Sequence, residues 1–155
     1  MELTAPEVRD GIAMWEVATA AGGLDVNPPY AYVLWARDFA DTTVVVRDGG
    51  VVVAYCTGYR RPSAPGTVFV WQVAVAPTHR RRGLGHQMLD ALVERHDDLA
   101  VLEATVTADN TASLALFGAF AQRHGAELTV SPLFTTADLG GAHAAEDLLR
   151  IAPLR

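Results

Sequence analysis

Val68-Phe69-Val70-Trp71-Gln72-Val73-Ala74-Val75-Ala76-Pro77-Thr78-His79-Arg80-Arg81-Arg82-Gly83-Leu84-Gly85-His86-Gln87-Met88-Leu89 is the stretch on which the fold turns. Val68–Ala76 is rich in β-branched and aromatic residues and reads as a strand that Pro77 ends. From Gly83 to Arg95 the apolar residues Leu84, Met88, Leu89, Leu92 and Val93 recur at helical spacing. Between strand and helix lie Arg80, Arg81 and Arg82 with two glycines. A helix N-terminus has unpaired N–H groups and a positive partial charge, so it favours an anion. Gly83 and Gly85 remove side chains where a phosphate approaches backbone, and arginine forks suit phosphate oxygens. Glycines alone would mean only an ordinary turn with solvated arginines; the combination points to an anion site. It is neither a P-loop, since no GK[ST] follows, nor a dinucleotide fingerprint, since the G-x-G-x-x-G spacing is absent. His86, next to Gly85, is the histidine placed for a phosphate role.

The pattern extends in both directions. Upstream, Thr42–Arg47 and Val51–Tyr59 are β-branched-rich and flank Asp48-Gly49-Gly50, which predicts a hairpin. The spacing of Val8, Ile12, Trp15 and Ala18/Thr19 predicts a helix over Pro6–Ala20, capped by Thr4 and ended by Gly22-Gly23. A loop, Leu24–Pro29, leads to a short helix through Tyr30, Val33, Leu34 and Ala36/Arg37, and a polar turn at Arg61–Gly66 precedes the central strand. Downstream, Leu99–Thr107 reads as a strand and Asn110–Gln122 as a helix with Leu116, Ala119 and Phe120 inward. Leu128–Val130 and Asp147–Ala152 read as final strands. That order predicts an α/β (α+β) fold, a central sheet flanked by helices, in a single domain over residues 1–155.

Composition narrows the function. Half the residues are hydrophobic, enough for a core in a chain of 155. Twelve basic residues, all arginine, face 18 acidic ones for a net charge of −6. An acidic surface disfavours nucleic acid, whose phosphates need a basic face, and suits a small cationic substrate. No apolar run nears the roughly 18 residues a membrane span requires. MELTAPEVRDG lacks the apolar segment of a signal peptide, and the one cysteine, Cys56, reads as a buried small hydrophobe. The expectation is a cytoplasmic protein with no metal, nucleic-acid or membrane partner.

Arg80-x-x-Gly83-x-Gly85, preceded by Trp71-Gln72-Val73-Ala74-Val75 and followed by Asn110-x-x-Ser113-x-x-Leu116-Phe117, resembles the GNAT acetyltransferase pattern over Thr42–Ala126. The resemblance implies a mixed, mostly antiparallel sheet whose central strands, matching Val68–Ala76 and Leu99–Thr107, splay around acetyl-CoA. It implies acetyl-CoA as co-substrate, with the pyrophosphate on Arg80, Arg81, Arg82, Gly83, Leu84, Gly85 and His86. Main-chain groups of Val73 and Val75 would pair the pantetheine amides, with Asn110 and Phe117 near the thiol end. Many members have a tyrosine at the position of Phe117 to protonate the departing thiolate; phenylalanine cannot, which leaves solvent or another tyrosine such as Tyr30.

A narrower resemblance lies inside it. Asp25-Val26-Asn27-Pro28-Pro29-Tyr30, Arg37–Thr42, Phe69–Val75, Glu103–Asn110 and the tail from His143-Ala144-Ala145-Glu146 are similar to the diaminobutyrate acetyltransferases of ectoine biosynthesis. This implies acetylation of the 4-amino group of L-2,4-diaminobutyrate, in a homodimer.

Acetyl transfer to an amine needs a polarised carbonyl, a deprotonated amine and a proton for the thiolate. Glu103 lies in an apolar strand on the face of Val101 and Thr105, where a carboxylate is costly unless paired or functional; a water-exposed sheet edge is the equal alternative. His143 and Glu146 share a face on a helical turn and oppose each other on a strand. By themselves they read as surface residues, and no third group completes a zinc site with them. The resemblance moves both to the substrate and makes Glu103, Glu146 and His143 the catalytic candidates. Asp25, Tyr30 and Trp71 join as substrate contacts, although Asp25 alone reads as a turn former and core packing competes for Trp71. The competing functions are acetylation of another small amine, a polyamine or a protein N-terminus, and a non-catalytic CoA-sensing module.

Overall fold

The Asp48-Gly49-Gly50 signal makes its hairpin. In the computed structural model, which describes residues 1–154, β2 (Thr43–Asp48) pairs antiparallel with β3 (Val51–Arg61). Gly49 and Gly50 take φ of 58° and 83° between them, the left-handed pair that matches the twist of the strands. Arg61 already belongs to β3, and β4 spans Ala64–Val75. The polar turn expected over Arg61–Gly66 is therefore only Pro62-Ser63, and β4 begins four residues before Val68.

The chain folds as two compact units: Met1–Tyr59 with Val70–Asp97, and Arg60–Phe69 with the segment from Asp98 onward. The strand order is β1-β2-β3-β4-β5-β7-β6, a mixed and mostly antiparallel sheet with helices, as expected.

In the first unit Thr4 is not a helix cap. Glu2–Thr4 is a strand, β1, pairing antiparallel with β2. Helix α1 runs Asp10–Ala21, four residues later than expected, with Arg9 at its N-cap position and no side-chain cap bond. Instead the Asp10 carboxylate reaches back to accept the Glu7 N–H at 2.7 Å. The expected stripe is also corrected: Val8 and Ile12 are 51% and 46% exposed, while Gly11, Met14, Val17 and Ala18 face the core. The cause is Gly11, where a Cβ would meet the Val33 backbone at 2.6 Å. Helix α2 (Pro29–Asp38) thus approaches α1 along Gly11 and fixes its rotation. Met14, Val17, Ala18, Tyr32, Ala36, Val45, Tyr55 and Ala74 build that core. After β4 a 3-10 turn (Pro77–His79) leads to α3 (Leu84–Glu94), which buries the predicted Leu84, Met88, Leu89, Leu92 and Val93.

In the second unit Thr67–Phe69 pair in parallel with Val101–Glu103 of β5 (Val101–Thr107). That ladder ends at Phe69, while β4 continues to Val75. β7 (Glu146–Ala152) lies antiparallel between β5 and β6 (Glu127–Phe134). β6 extends past the expected Leu128–Val130 through Pro132, which an edge strand tolerates, with an irregularity before Phe134. Helix α4 (Thr111–Arg123) buries Phe117, Phe120 and Ala121; Leu116 and Ala119, expected inward, are only half-buried. No described helix is long and apolar enough to cross a membrane.

Candidate functional site

Gly83 stands at the N-cap of α3 in the left-handed region, φ 72°, with no side-chain cap bond. Leu84 points into the core, so it offers a ligand only its main chain. The first-turn N–H groups of Leu84, Gly85 and His86 therefore form the donor set that an anion at a helix N-terminus requires. Arg81 is also left-handed, at φ 62°, unusual for a residue with a side chain. The three arginines follow one another ahead of Gly83. All three are exposed; Arg80 donates from Nη2 to the Ala21 carbonyl at the end of α1, and Arg82 from Nη2 to the Thr78 carbonyl at 3.4 Å. Ahead of them His79 Nε2 meets Asp48 Oδ2 at 2.8 Å, and the Thr78 hydroxyl meets its Nδ1 at 2.8 Å. The His79 contact holds the Asp48 carboxyl below the usual range. The loop is thus fastened to the hairpin turn and to α1.

The Asp25 segment belongs to the same unit. Asp25 is exposed, and its carbonyl accepts from Gln72 Nε2 at 2.9 Å and from Asn27 Nδ2 at 3.4 Å. Gln72 is buried in β4, and its Oε1 accepts from the hydroxyls of Tyr32 at 3.1 Å and Tyr55 at 2.9 Å. Burial pushes the Tyr55 phenol well above its ordinary range, so it remains a donor. Tyr30 is 72% exposed beside this loop in sequence. Trp71 is half-buried and stacks on Trp35 at 4.5 Å and 30°, and Trp35 also meets Phe39 at 4.6 Å and Tyr59 at 6.3 Å. Packing therefore accounts for part of Trp71. Phe69, Trp71, Val73 and Val75 alternate with buried Val70, Gln72 and Ala74.

In the second unit β5 lies between β4 and β7, so Glu103 is not at a sheet edge. It is 8% exposed, with Arg61 Nη1 3.7 Å from its Oε2. Glu146 opens β7 opposite Thr107, and its Oε1 accepts the Thr105 hydroxyl at 3.1 Å. Directly opposed residues share a face, so Glu103, Thr105, Thr107 and Glu146 line one side of the ladder. Leu102, Ala104, Leu149 and Ile151 fill the other, buried side. Arg150 of β7 stands directly opposite Glu103 on that face, and Glu146 stands opposite Thr107, four residues farther along β5.

His143 lies in a bend before β7, so the helical-turn geometry for His143 and Glu146 does not occur. Its Nδ1 is 2.6 Å from the Ala144 carbonyl, to which it donates. Asn110 caps α4, its Oδ1 accepting from Ser113 N at 3.1 Å. Phe117 is buried in the packing of α4.

The structure thus ties Asp25 to β4 and brings Glu103 and Glu146 to one face. Gln72, Thr105 and Arg61 were not singled out from the sequence. Gln72 had a legible signal, an amide at an inward position among Val68, Val70 and Ala74. The partners of Thr105 and Arg61 depend on strand register, which has none. No cluster of metal-ligating side chains occurs among the described residues.

The Acetyltransferase (GNAT) family model matches residues 12–121. A diaminobutyric acid acetyltransferase of Nocardia farcinica is 47% identical over 98% of this chain and 80% of its own length. One from Streptomyces coelicolor is 48% identical over 99% and 94%. Among solved structures, the diaminobutyrate acetyltransferase of Paenibacillus lautus, in complex with L-2,4-diaminobutyric acid and coenzyme A, superposes with a TM-score of 0.93 at 35% identity. That match covers 99% of this chain and 95% of the other.

Proposed function

Because this chain belongs to the acetyltransferase (GNAT) family, we propose that it transfers the acetyl group of acetyl-CoA to the 4-amino group of L-2,4-diaminobutyrate. The observation that carries the reading is the shared face of Glu103 and Glu146, in a chain nearly half identical to diaminobutyrate acetyltransferases along its whole length. The product, N4-acetyl-L-2,4-diaminobutyrate, serves ectoine formation under osmotic stress. In this reading the chain acts as one acetyltransferase domain in the cytoplasm. It pairs into a homodimer through the edge strand β6, where Val130, Leu133 and Phe134 are exposed.

When bound, acetyl-CoA supplies the acetyl thioester. The N-terminus of α3 and the exposed Arg80, Arg81 and Arg82 hold its pyrophosphate. Val73 and Val75 present main-chain groups to the pantetheine where β4 runs on beyond its ladder with β5. A strand N–H near Val73 polarises the thioester carbonyl. Asn110 and Phe117 lie towards the thiol end. Glu103 and Glu146 attract an ammonium group of the substrate; Asp25, Tyr30 and Trp71 are its further contacts by resemblance to the diaminobutyrate enzymes. Glu103, Glu146 and His143 are the groups that can accept the proton of the 4-ammonium. The neutral nitrogen then attacks the carbonyl carbon, the C–N bond forms, the C–S bond breaks, and the second proton of the nitrogen passes to solvent. Phe117 has no proton to give, so solvent or Tyr30 protonates the thiolate.

The test is thiol release from acetyl-CoA with diaminobutyrate, ornithine, lysine, spermidine and a short peptide, with mass analysis of the product. Preference for diaminobutyrate, acetylated on the 4-nitrogen, is expected. Preference for another amine replaces the substrate, and CoA binding without turnover of any amine overturns the enzyme. Asp25→Ala and Glu146→Ala should each raise the diaminobutyrate KM more than the acetyl-CoA KM.

A further inference from the structure

Gln72 stands out because every polar atom of its side chain that bonds does so across a long stretch of sequence. Its Oε1 receives two phenols, Tyr32 from α2 and Tyr55 from β3. Tyr32 in turn accepts the Asn27 N–H at 3.4 Å, which directs its own proton towards Gln72. With both phenols donating into the oxygen, the amide nitrogen is turned outward, to the Asp25 carbonyl at 2.9 Å. The segment it reaches carries Gly22 and Gly23, both at φ 70° with nothing within 4 Å of a would-be Cβ. Leu24 packs against the core, and the bond from Gln72 adds a fixed polar contact at the next residue.

We infer that Gln72, oriented by Tyr32 and Tyr55, is the positioning residue that holds the Asp25 segment on β4 and thereby sets affinity for the amine substrate. The inference rests on the reading of Asp25 as a substrate contact. Gln72 touches no reacting atom in this account; it acts through the main chain of Asp25.

Gln72→Glu tests it most selectively, because a carboxylate keeps an acceptor for both phenols and replaces the donor to Asp25 by an oxygen that repels its carbonyl. Gln72→Met, which carries no charge into the core, is the second variant should Gln72→Glu fail to fold. The readouts are the KM for diaminobutyrate and for acetyl-CoA, and amide hydrogen exchange across residues 22–28. The expected result is a diaminobutyrate KM raised about tenfold, from one lost hydrogen bond of about 1.4 kcal/mol. The acetyl-CoA KM should stay within about twofold, exchange in 22–28 should quicken, and the variant should add little to Asp25→Ala. Unchanged exchange, equal rises in both KM values, or full additivity with Asp25→Ala would each overturn the inference. If Asp25→Ala leaves the diaminobutyrate KM untouched while Gln72→Glu quickens exchange, what fails is the substrate role of Asp25; the anchoring by Gln72 stands.

Discussion

Thr105 donates its hydroxyl to Glu146 across 3.1 Å, binding β5 to β7 beside the register pair Thr107 and Glu146. A hydrogen bond to a carboxylate is stronger than one between neutral groups, so it holds the glutamate in one rotamer on the face it shares with Glu103. Thr105→Val keeps the shape of the side chain and removes the donor. The loss of a hydrogen bond to a charged group, about 1.5 kcal/mol or more, should raise the diaminobutyrate KM about tenfold. The acetyl-CoA KM should not follow, and steady-state kinetics with each substrate varied in turn decides the matter. A parallel rise in both would separate Glu146 from the amine.

Gly83 governs the other substrate. Its φ of 72° is left-handed, a region that costs a side-chain-bearing residue about 1–2 kcal/mol. Gly83→Glu adds that strain and sets a negative charge at the helix N-terminus proposed to hold the pyrophosphate. The CoA dissociation constant, measured by calorimetry, should rise at least about tenfold, which corresponds to about 1.4 kcal/mol. An unchanged constant would detach this loop from CoA.

The local patterns were legible where one physical cause dominated. The hairpin followed from Asp48-Gly49-Gly50, and the buried face of α3 from its strongly one-sided periodicity, because neither depends on distant partners. The rotation of α1 was not legible. Apolar residues surround that helix, so periodicity selects no face, and the choice falls to Gly11 meeting Val33. Site residues divided in the same way. The glycines and arginines of the anion loop are contiguous in sequence. The alliances of Gln72 with Tyr32, of Arg61 with Glu103 and of Thr105 with Glu146 span 40, 42 and 41 positions and exist only once helix and strands are packed in place.

The Gly11 contact can be tested directly. Alanine is the better helix former by about 1 kcal/mol, so Gly11→Ala on an isolated helix would stabilise. Here the new methyl meets backbone atoms of Val33 at 2.6 and 2.8 Å, which cannot move aside as a flexible side chain would. Overpacking of this kind costs about 1–3 kcal/mol. A net loss of stability in urea unfolding is expected; a gain would mean that α1 and α2 separate freely.

Cys56 offers a probe of global unfolding. It is wholly buried in β3, and burial pushes its thiol up to about 12. Alkylation requires thiolate and access, and native Cys56 has neither at pH 8. The folded protein should resist iodoacetamide and the urea-unfolded protein should react fully. Rapid native labelling would show that β3 opens locally.

Asp10 and Arg47 form a two-pronged ion pair, Nη1 to Oδ1 at 2.7 Å and Nη2 to Oδ2 at 2.6 Å, with Asp10 buried. The Arg47 hydrogen bonds hold the Asp10 carboxyl below its ordinary 3.8, against the opposing effect of burial. A carboxyl whose folded value is depressed stabilises the fold fully above its unfolded value and loses that stabilisation as pH falls through the folded one. At pH 7 Asp10→Asn leaves Arg47, itself largely buried, without its counter-charge, a loss of about 3 kcal/mol. Below a pH of about 4 the wild-type advantage should shrink, because the unfolded carboxyl takes up a proton before the folded one does. Urea unfolding of both proteins between neutral and acid pH measures the gap. A gap as wide in acid as at neutrality would mean that the pair contributes by shape and neutral hydrogen bonding, and not by charge.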